Sequence, residues 1–220
     1  DNYIGNHTSA NFTVDKRESS VGVEVDAIDV GEDAVITVSV PENATGYVIV
    51  EIDNQTYAIK VNNGTGSATI KGLASGDHPI NVTYLGDDQY FNSTNATSLK
   101  VSKVPSSINV TVDDITVGEN AVINIEVPED LCGNVTVSVD GENYTVPVSG
   151  GKGTLVVPDL KEGDHTVDVT FDGCKKYEPA ENSTTFTVSK VETGDLNVID
   201  LGNGTVVVVV PDNATGTVEI

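Results

Sequence analysis

The chain has 220 residues and is strongly acidic, with 34 Asp and Glu against 11 Lys and Arg, a formal charge of −23 and a pI near 4.1. No basic patch is present to neutralise phosphates, which excludes nucleic acid as a partner, and the same charge opposes contact with an acidic membrane surface. With no Trp, no Met and few aromatics, any core must be built from Val, Ile and Leu.

Taken from its start, the chain repeats itself with a period of 87 residues. Residues 1–16, DNYIGNHTSANFTVDK, lie in register with DQYFNSTNATSLKVSK at 88–103 and are expected to be the last strand of a preceding repeat. Two full repeats follow, at 17–103 and 104–190. PENATGYVIVEIDNQTY at 41–57 matches PEDLCGNVTVSVDGENY at 128–144, and LASGDHPINVTYLGDDQY from 73 matches LKEGDHTVDVTFDGCKKY from 160. Residues 191–220 begin a further copy, in which PDNATG at 211–216 echoes PENATG at 41–46. A period this long is a whole small domain rather than a solenoid unit, so the chain reads as an excerpt from a string of like domains. No segment reads as a signal peptide, and no apolar run is long enough to cross a membrane.

Within a repeat the apolar period is two. Ile80, Val82 and Tyr84 alternate with Asn81 and Thr83; Ile108, Val110 and Val112 with Asn109 and Thr111; Val135, Val137 and Val139 with Asn134, Thr136 and Ser138. Alternation of this kind places one face on a core and the other in water. Turn signals such as Asp53-Asn54, Asn63-Gly64, Asp140-Gly141 and Gly150-Gly151 separate the runs. The second repeat predicts seven strands, near 107–117, 120–127, 133–139, 143–148, 153–157, 165–171 and 182–189. The fold class is therefore all-β: tandem immunoglobulin-like β-sandwich domains of about seven antiparallel strands. In many sandwiches an aromatic residue ties the corner between the fifth and sixth strands to the backbone; here His78 and His165 stand at that place. The antibody signature, a Trp on the third strand with a Cys pair on the second and sixth, is missing.

Several motifs recur in both copies: G-E-x-A-V-I at 31–36 and 118–123, V-P-E at 40–42 and 127–129, V-x-V-x-x-D-x-x-x-Y at 48–57 and 135–144, L-x-x-G-D-H at 73–78 and 160–165, and a closing T-x-x-x-V-S-K at 97–103 and 184–190. This set resembles the bacterial Ig-like (group 3) repeats, abundant in adhesin-like surface proteins of methanogenic archaea. The resemblance implies a long extracellular protein built mostly from such repeats, and it offers no catalytic motif to carry over.

Of the 19 asparagines, 14 open an N-x-T sequence: Asn6, Asn11, Asn43, Asn54, Asn63, Asn81, Asn92, Asn95, Asn109, Asn134, Asn143, Asn182, Asn203 and Asn213. Chance would leave about 3 or 4, so N-glycosylation of a secreted surface protein is one reading. Alternation of Asn and Thr on solvated strand faces also creates the sequence, and explains Asn81, Asn109 and Asn134 better than the loop sites. Cys132 and Cys174 occur only in the second repeat, where the first has Thr45 and Asp87. At the start of the third strand and just past the sixth, a disulfide is geometrically reasonable; two free thiols or a weak metal pair are the alternatives. Acidic groups gather near expected domain ends, namely Asp26, Asp29, Glu32 and Asp33 with Asp87 and Asp88, then Asp113, Asp114 and Glu119 with Glu129 and Asp130. They suit either solvated loops or calcium, although no D-x-D-x-D-G loop is present; no other cofactor is expected.

No nucleophile, base and orienting group fall together, so no enzyme is expected. Two readings remain. One is a stalk or fibre-forming spacer at the cell surface, whose partners are like domains of the same chain and other copies in a filament. VSKVPSS at 101–107 leaves almost no linker, and Pro105 stiffens it. The other is direct binding of a glycan or protein by end loops or a strand edge, where Tyr3, Tyr90, Phe91 and Tyr177 are the aromatic residues placed in loops.

Overall fold

A computed structural model describes residues 5, 7–191, 197–210, 216–217 and 219. All regular structure in them is β, and among these residues no helix is long and apolar enough to cross a membrane.

The first repeat forms β1 (Gly22–Glu24), β2 (Ile28–Asp29), β3 (Ala34–Ser39), β4 (Tyr47–Ile52), β5 (Gln55–Lys60), β6 (Thr65–Ile70), β7 (Gly76–Tyr84) and β8 (Ser93–Ser102). They make a three-stranded sheet, β1-β3-β6, and a five-stranded sheet, β2-β8-β7-β4-β5. The second repeat reproduces this with β9 (Asn109–Thr111), β10 (Ile115–Thr116), β11 (Ala121–Glu126), β12 (Asn134–Val139), β13 (Glu142–Pro147), β14 (Lys152–Val157), β15 (Gly163–Phe171) and β16 (Ala180–Ser189), ordered β14-β11-β9 and β10-β16-β15-β12-β13. Each repeat is an immunoglobulin-like sandwich, as the alternation predicts. In the first, Ala34, Ile36 and Val38 of β3 share one core with Val48, Val50 and Ile52 of β4 and Ile80, Val82 and Tyr84 of β7. The intervening residues of β3, Val35, Thr37 and Ser39, are exposed.

One strand differs from expectation. The run 107–117 is two strands in different sheets: β9 is antiparallel to β11, whereas β10 is parallel to β16. The chain crosses between the sheets at 112–114, where the Asp114 carboxylate accepts the Thr187 backbone N–H at 2.7 Å. β1 and β2 divide in the same way.

Turn chemistry sets the hairpins. Between β4 and β5 the two turn residues, Asp53 and Asn54, have φ of 49° and 61°, and between β12 and β13 Asp140 and Gly141 have 50° and 89°. Positive φ at both central residues matches the right-handed strand twist. Gly64 and Gly151 are required differently. Each has positive φ, and a Cβ there would stand 2.8 Å from the Val40 carbonyl oxygen or 2.7 Å from that of Val127.

By its contacts the chain divides into two compact units, Asp1–Pro105 with Cys174–Glu178, and Ser106–Gly173 with Pro179–Ile220. The short segment falls with the first unit because the backbone of Val104, just before the break, bonds to Lys176 and Glu178. Arg17, 87 residues earlier, makes the same two bonds to Gln89 and Phe91.

Residues 7–16, expected to be a strand, are assigned none. Phe12 is 87% and Val14 81% exposed, although their counterparts Leu99 and Val101 are buried. A strand needs a ladder partner, and none of the described residues pairs with 7–16. Near the other end, β17 (Asn197–Asp200) and β18 (Val206–Val209) form an antiparallel hairpin.

Candidate functional site

The groups able to do chemistry gather at two places in each repeat, a corner beside the β4–β5 turn and a latch at the opposite ends of those strands. At the first corner, His78 on β7 is buried. Its Nδ1 lies 2.7 Å from Oδ2 of Asp53, and its Nε2 lies 2.8 Å from the carbonyl oxygen of Ala74. The second corner has the same parts: His165 Nδ1 is 2.5 Å from Oδ2 of Asp140, and Nε2 is 2.7 Å from the carbonyl oxygen of Lys161. The His165 ring also stacks on Phe186, with centroids 5.3 Å apart.

A carboxylate and a carbonyl can only accept hydrogen bonds, so satisfying both contacts requires both ring nitrogens to donate, as they do in an imidazolium. The Asp53 hydrogen bond raises the His78 pKa against the opposing effect of burial. For His165 the Lys161 carbonyl is the larger cause and Asp140 the next. Burial tends to raise the Asp140 carboxyl, but the Thr166 N–H and His165 outweigh it and hold the group low. The Asp–His pairs resemble part of a catalytic relay, yet Nε2 is capped by main chain. No ring nitrogen remains to move a substrate proton or ligate a metal. Each His ties its corner to the backbone four residues upstream. The repeated Asp53 and Asp140, which complete the clasp, went unnoticed as partners because they read only as turn residues.

The latch differs between repeats. In the first, Oδ2 of Asp87 accepts the Thr45 N–H at 2.8 Å and the Thr45 hydroxyl at 3.0 Å, and Oδ1 accepts the N–H groups of Gln89 and Tyr90, each at 2.8 Å. Burial pushes this carboxyl up, but the hydrogen bonds dominate and hold it far below the usual carboxylate range. The Tyr84 hydroxyl, on a fully buried side chain, donates to the Thr45 carbonyl at 2.9 Å. Burial and then the Asp87 charge push its pKa up to about 12. In the second repeat the counterparts of Thr45 and Asp87 are Cys132 and Cys174, both disulfide-bonded, and that of Tyr84 is Phe171.

Among the described residues, every asparagine of the N-x-T set is exposed: Asn11, Asn43, Asn54, Asn63, Asn81, Asn92, Asn95, Asn109, Asn134, Asn143, Asn182 and Asn203. Asn6 and Asn213 lie outside the described residues. Three of the exposed ones have Nδ2 engaged, Asn109 only with the exposed Glu126 carboxylate at 3.5 Å and the other two with main chain. Nδ2 of Asn95 donates to the Val21 carbonyl at 2.9 Å, and Nδ2 of Asn182 donates to the Ile108 carbonyl at 2.7 Å. That nitrogen is the one a glycan would occupy. Asn54 and Asn63 sit in hairpin turns, while Asn81, Asn109, Asn134 and Asn143 are on strands.

Several of the acidic groups near the expected domain ends are used locally. Glu32 accepts the Asp29 N–H, Glu119 accepts the N–H and hydroxyl of Thr116, and Asp33 meets Lys71 at 2.6 Å. No group of three or more metal-ligating side chains comes together among the described residues. Of the loop aromatics, Tyr90 and Tyr177 are buried, with their backbones bridged to Arg17 and Val104, and so offer no platform. Phe91 is exposed, as is Tyr47 on β4, and Tyr3 lies outside the described residues. Tyr47 passed unnoticed because its counterpart, Asn134, gives no aromatic signal.

Residues 21–102 match the family model of the bacterial Ig-like domain (group 3). Among solved structures the chain is similar to fibronectin(III)-like modules of Clostridium thermocellum CbhA, at 17% identity over 77% of this chain and 94% of that one, with a TM-score of 0.35. It is also similar to a pair of titin Ig tandem domains (11%, 78% and 97%, TM-score 0.31) and to a further titin tandem (13%, 80% and 68%, TM-score 0.36). No curated protein sequence matches it. The chain is an all-β tandem of immunoglobulin-like domains, and its first full repeat carries the match to the group 3 bacterial Ig-like domain.

Proposed function

We propose that the chain is a structural segment of a secreted, adhesin-like cell-surface protein, serving as a stalk or fibre-forming spacer. One observation carries this reading: four pairs of polar residues repeated at a spacing of 87 are committed to the fold. His78 and His165, Asp53 and Asp140, Glu32 and Glu119, and Asn95 and Asn182 all bond within their own repeat. A module selected to bind a ligand would be expected to repeat exposed, uncommitted groups instead. The disulfide favours an oxidising compartment, and the exposed N-x-T sites suit a glycoprotein; on geometry Asn95 and Asn182 are the weakest acceptors. The resemblance points to an archaeal surface protein. Calcium at domain junctions would add stiffness, and the local bonding of Glu32, Asp33 and Glu119 argues for solvated loops instead.

A second reading has its own support. Tyr47, Leu85 and Phe91 of the first repeat are 48%, 57% and 44% exposed, where the second repeat has Asn134, Asp172 and Glu178. Aromatic groups of this kind suit a glycan or protein partner. Incubating the natively produced segment with partner cells and a broad glycan panel, with and without calcium, separates the two. The stalk reading expects no saturable binding and extended particles in electron micrographs. Saturable binding that is lost in Tyr47→Ser with Phe91→Ser overturns it.

A further inference from the structure

We propose that the corner of each repeat is a proton-held clasp: the doubly donating imidazolium is a required part of the fold, and losing its proton releases the loop before β7, or its counterpart before β15, from the sheet. This goes beyond the stalk reading and does not depend on it.

The argument is one of donors and acceptors. A neutral imidazole has one N–H and one lone pair. His78 faces an oxygen at each nitrogen, the Asp53 carboxylate on one side and the Ala74 carbonyl on the other. Whichever nitrogen gives up the proton then points a lone pair at an oxygen. The ring is only 7% exposed, so water cannot readily replace the lost donor. His165 stands in the same position between Asp140 and Lys161, also at 7% exposure.

The charged groups that act most strongly on the two rings favour the cation. For His78 these are Asp53 at the β4–β5 turn and Asp77 beside it on β7; for His165 they are Asp140 and Asp164. From the neighbouring strand, the residues opposite in register are apolar, Leu99 on β8 and Phe186 on β16. The same constellation in both repeats shows that the arrangement is a property of the module and not of one loop.

The sign follows. The folded pKa of each His is raised. Its contribution to stability is therefore complete below the unfolded value, about 6.5, and is lost as pH rises through the folded value. A histidine buried neutral does the reverse and weakens a fold in acid. Each unit by which the folded pKa exceeds the unfolded one corresponds to about a tenfold loss in that repeat's folding constant.

The test is a pH titration of the full chain labelled with 15N-histidine, followed by NMR in the folded state and in denaturant. The expected result is that both ring nitrogens of His78 and His165 stay protonated at a pH where the denatured chain's histidines are neutral. The urea midpoint should fall through that same range. Asp53→Asn assigns the signals: it should lower the titration of His78 and leave His165 in place, and Asp140→Asn should do the converse. If either variant fails to fold, the wild-type titration decides alone. Titration of His78 and His165 at or below their denatured values overturns the proposal, as does a urea midpoint that stays flat while they lose their protons.

Discussion

The two repeats close the same place by different chemistry, and the contrast separates what the fold requires from what it tolerates. Positions 45 and 87, and 132 and 174, are each 42 residues apart. In the first repeat a carboxylate joins them through hydrogen bonds to Thr45, while its other oxygen shapes the loop to Tyr90. In the second a disulfide takes over. The loop geometry survives the exchange, since the Asp87 N–H donates to the Tyr90 carbonyl at 3.1 Å and the Cys174 N–H to the Tyr177 carbonyl at 2.9 Å. The sandwich needs the two loops held together and accepts either a charge or a covalent bond. The consequence is sensitivity to different conditions, acid for one latch and reductant for the other.

The largest effect is expected from breaking the covalent latch. Reduction, or Cys132→Ala with Cys174→Ala, should cost the second repeat roughly 4 kcal/mol in the chain-entropy treatment of a loop this long. Hydrogen exchange by mass spectrometry reads the repeats separately. Peptides from β11, β12 and β15 should lose protection, and those from β3, β4 and β7 should keep it. Equal losses in both repeats would mean that the latches are not independent.

Asp87→Ala should follow, costing the first repeat about 2 kcal/mol, since it removes an ionised acceptor and leaves several donors to find water. The comparison sharpens with pH. The folded Asp87 carboxyl is held low, so its contribution is present above the unfolded value near 3.9 and is lost as pH falls through the folded one. Acid should therefore weaken the first latch, and Asp87→Ala should flatten that dependence in urea titrations of the first repeat. A disulfide does not titrate, so the second latch should hold.

Much of this was legible in the sequence, and the remainder was hidden for identifiable reasons. The period of two fixed which faces are buried: Val135, Val137 and Val139 are core, and their polar neighbours are not. The 87-residue period fixed the module and placed His78 and His165 at matching corners. It could not reveal the crossing at 112–114, because a strand that changes sheets keeps its alternation almost intact. It also could not show that Asp87 substitutes for a cysteine, because a chemically unlike pair suggests divergence rather than shared duty. The N-x-T count weighed all asparagines alike. Only the geometry singles out Asn95 and Asn182, which bond to the residues just before β1 and β9, 74 residues earlier in the chain.

Those two asparagines provide a control in which the repeats should agree. Asn95→Ala leaves the carbonyl of buried Val21 without its donor, and Asn182→Ala does the same to buried Ile108. Each should cost its own repeat about 1.5 kcal/mol. Asn143→Ala, at an exposed position of β13, should stay within about 0.5 kcal/mol. Glycopeptide mapping of the native protein supplies the second reading, with no glycan expected at either engaged site. A glycan there would show that Nδ2 is available before the strands close.

The smallest effect expected from losing a fold contact is also the closest test of equivalence. Tyr84→Phe gives the first repeat the ring that the second already has at Phe171. The ring stays, so packing is retained and one hydrogen bond to the Thr45 carbonyl is removed. Thr45 is exposed, so water can take the vacated position, and the cost should be only about 0.5–1 kcal/mol. The alkaline signature should change as well. With its pKa pushed up to about 12, the folded phenol keeps its proton above the unfolded value, so wild-type stability falls as pH rises through that range. The Phe variant should lose that component while keeping the histidine step at lower pH. A loss well above 2 kcal/mol would mean that the hydroxyl and the Asp87 carboxylate act as one unit, and that the disulfide of the second repeat replaces both together.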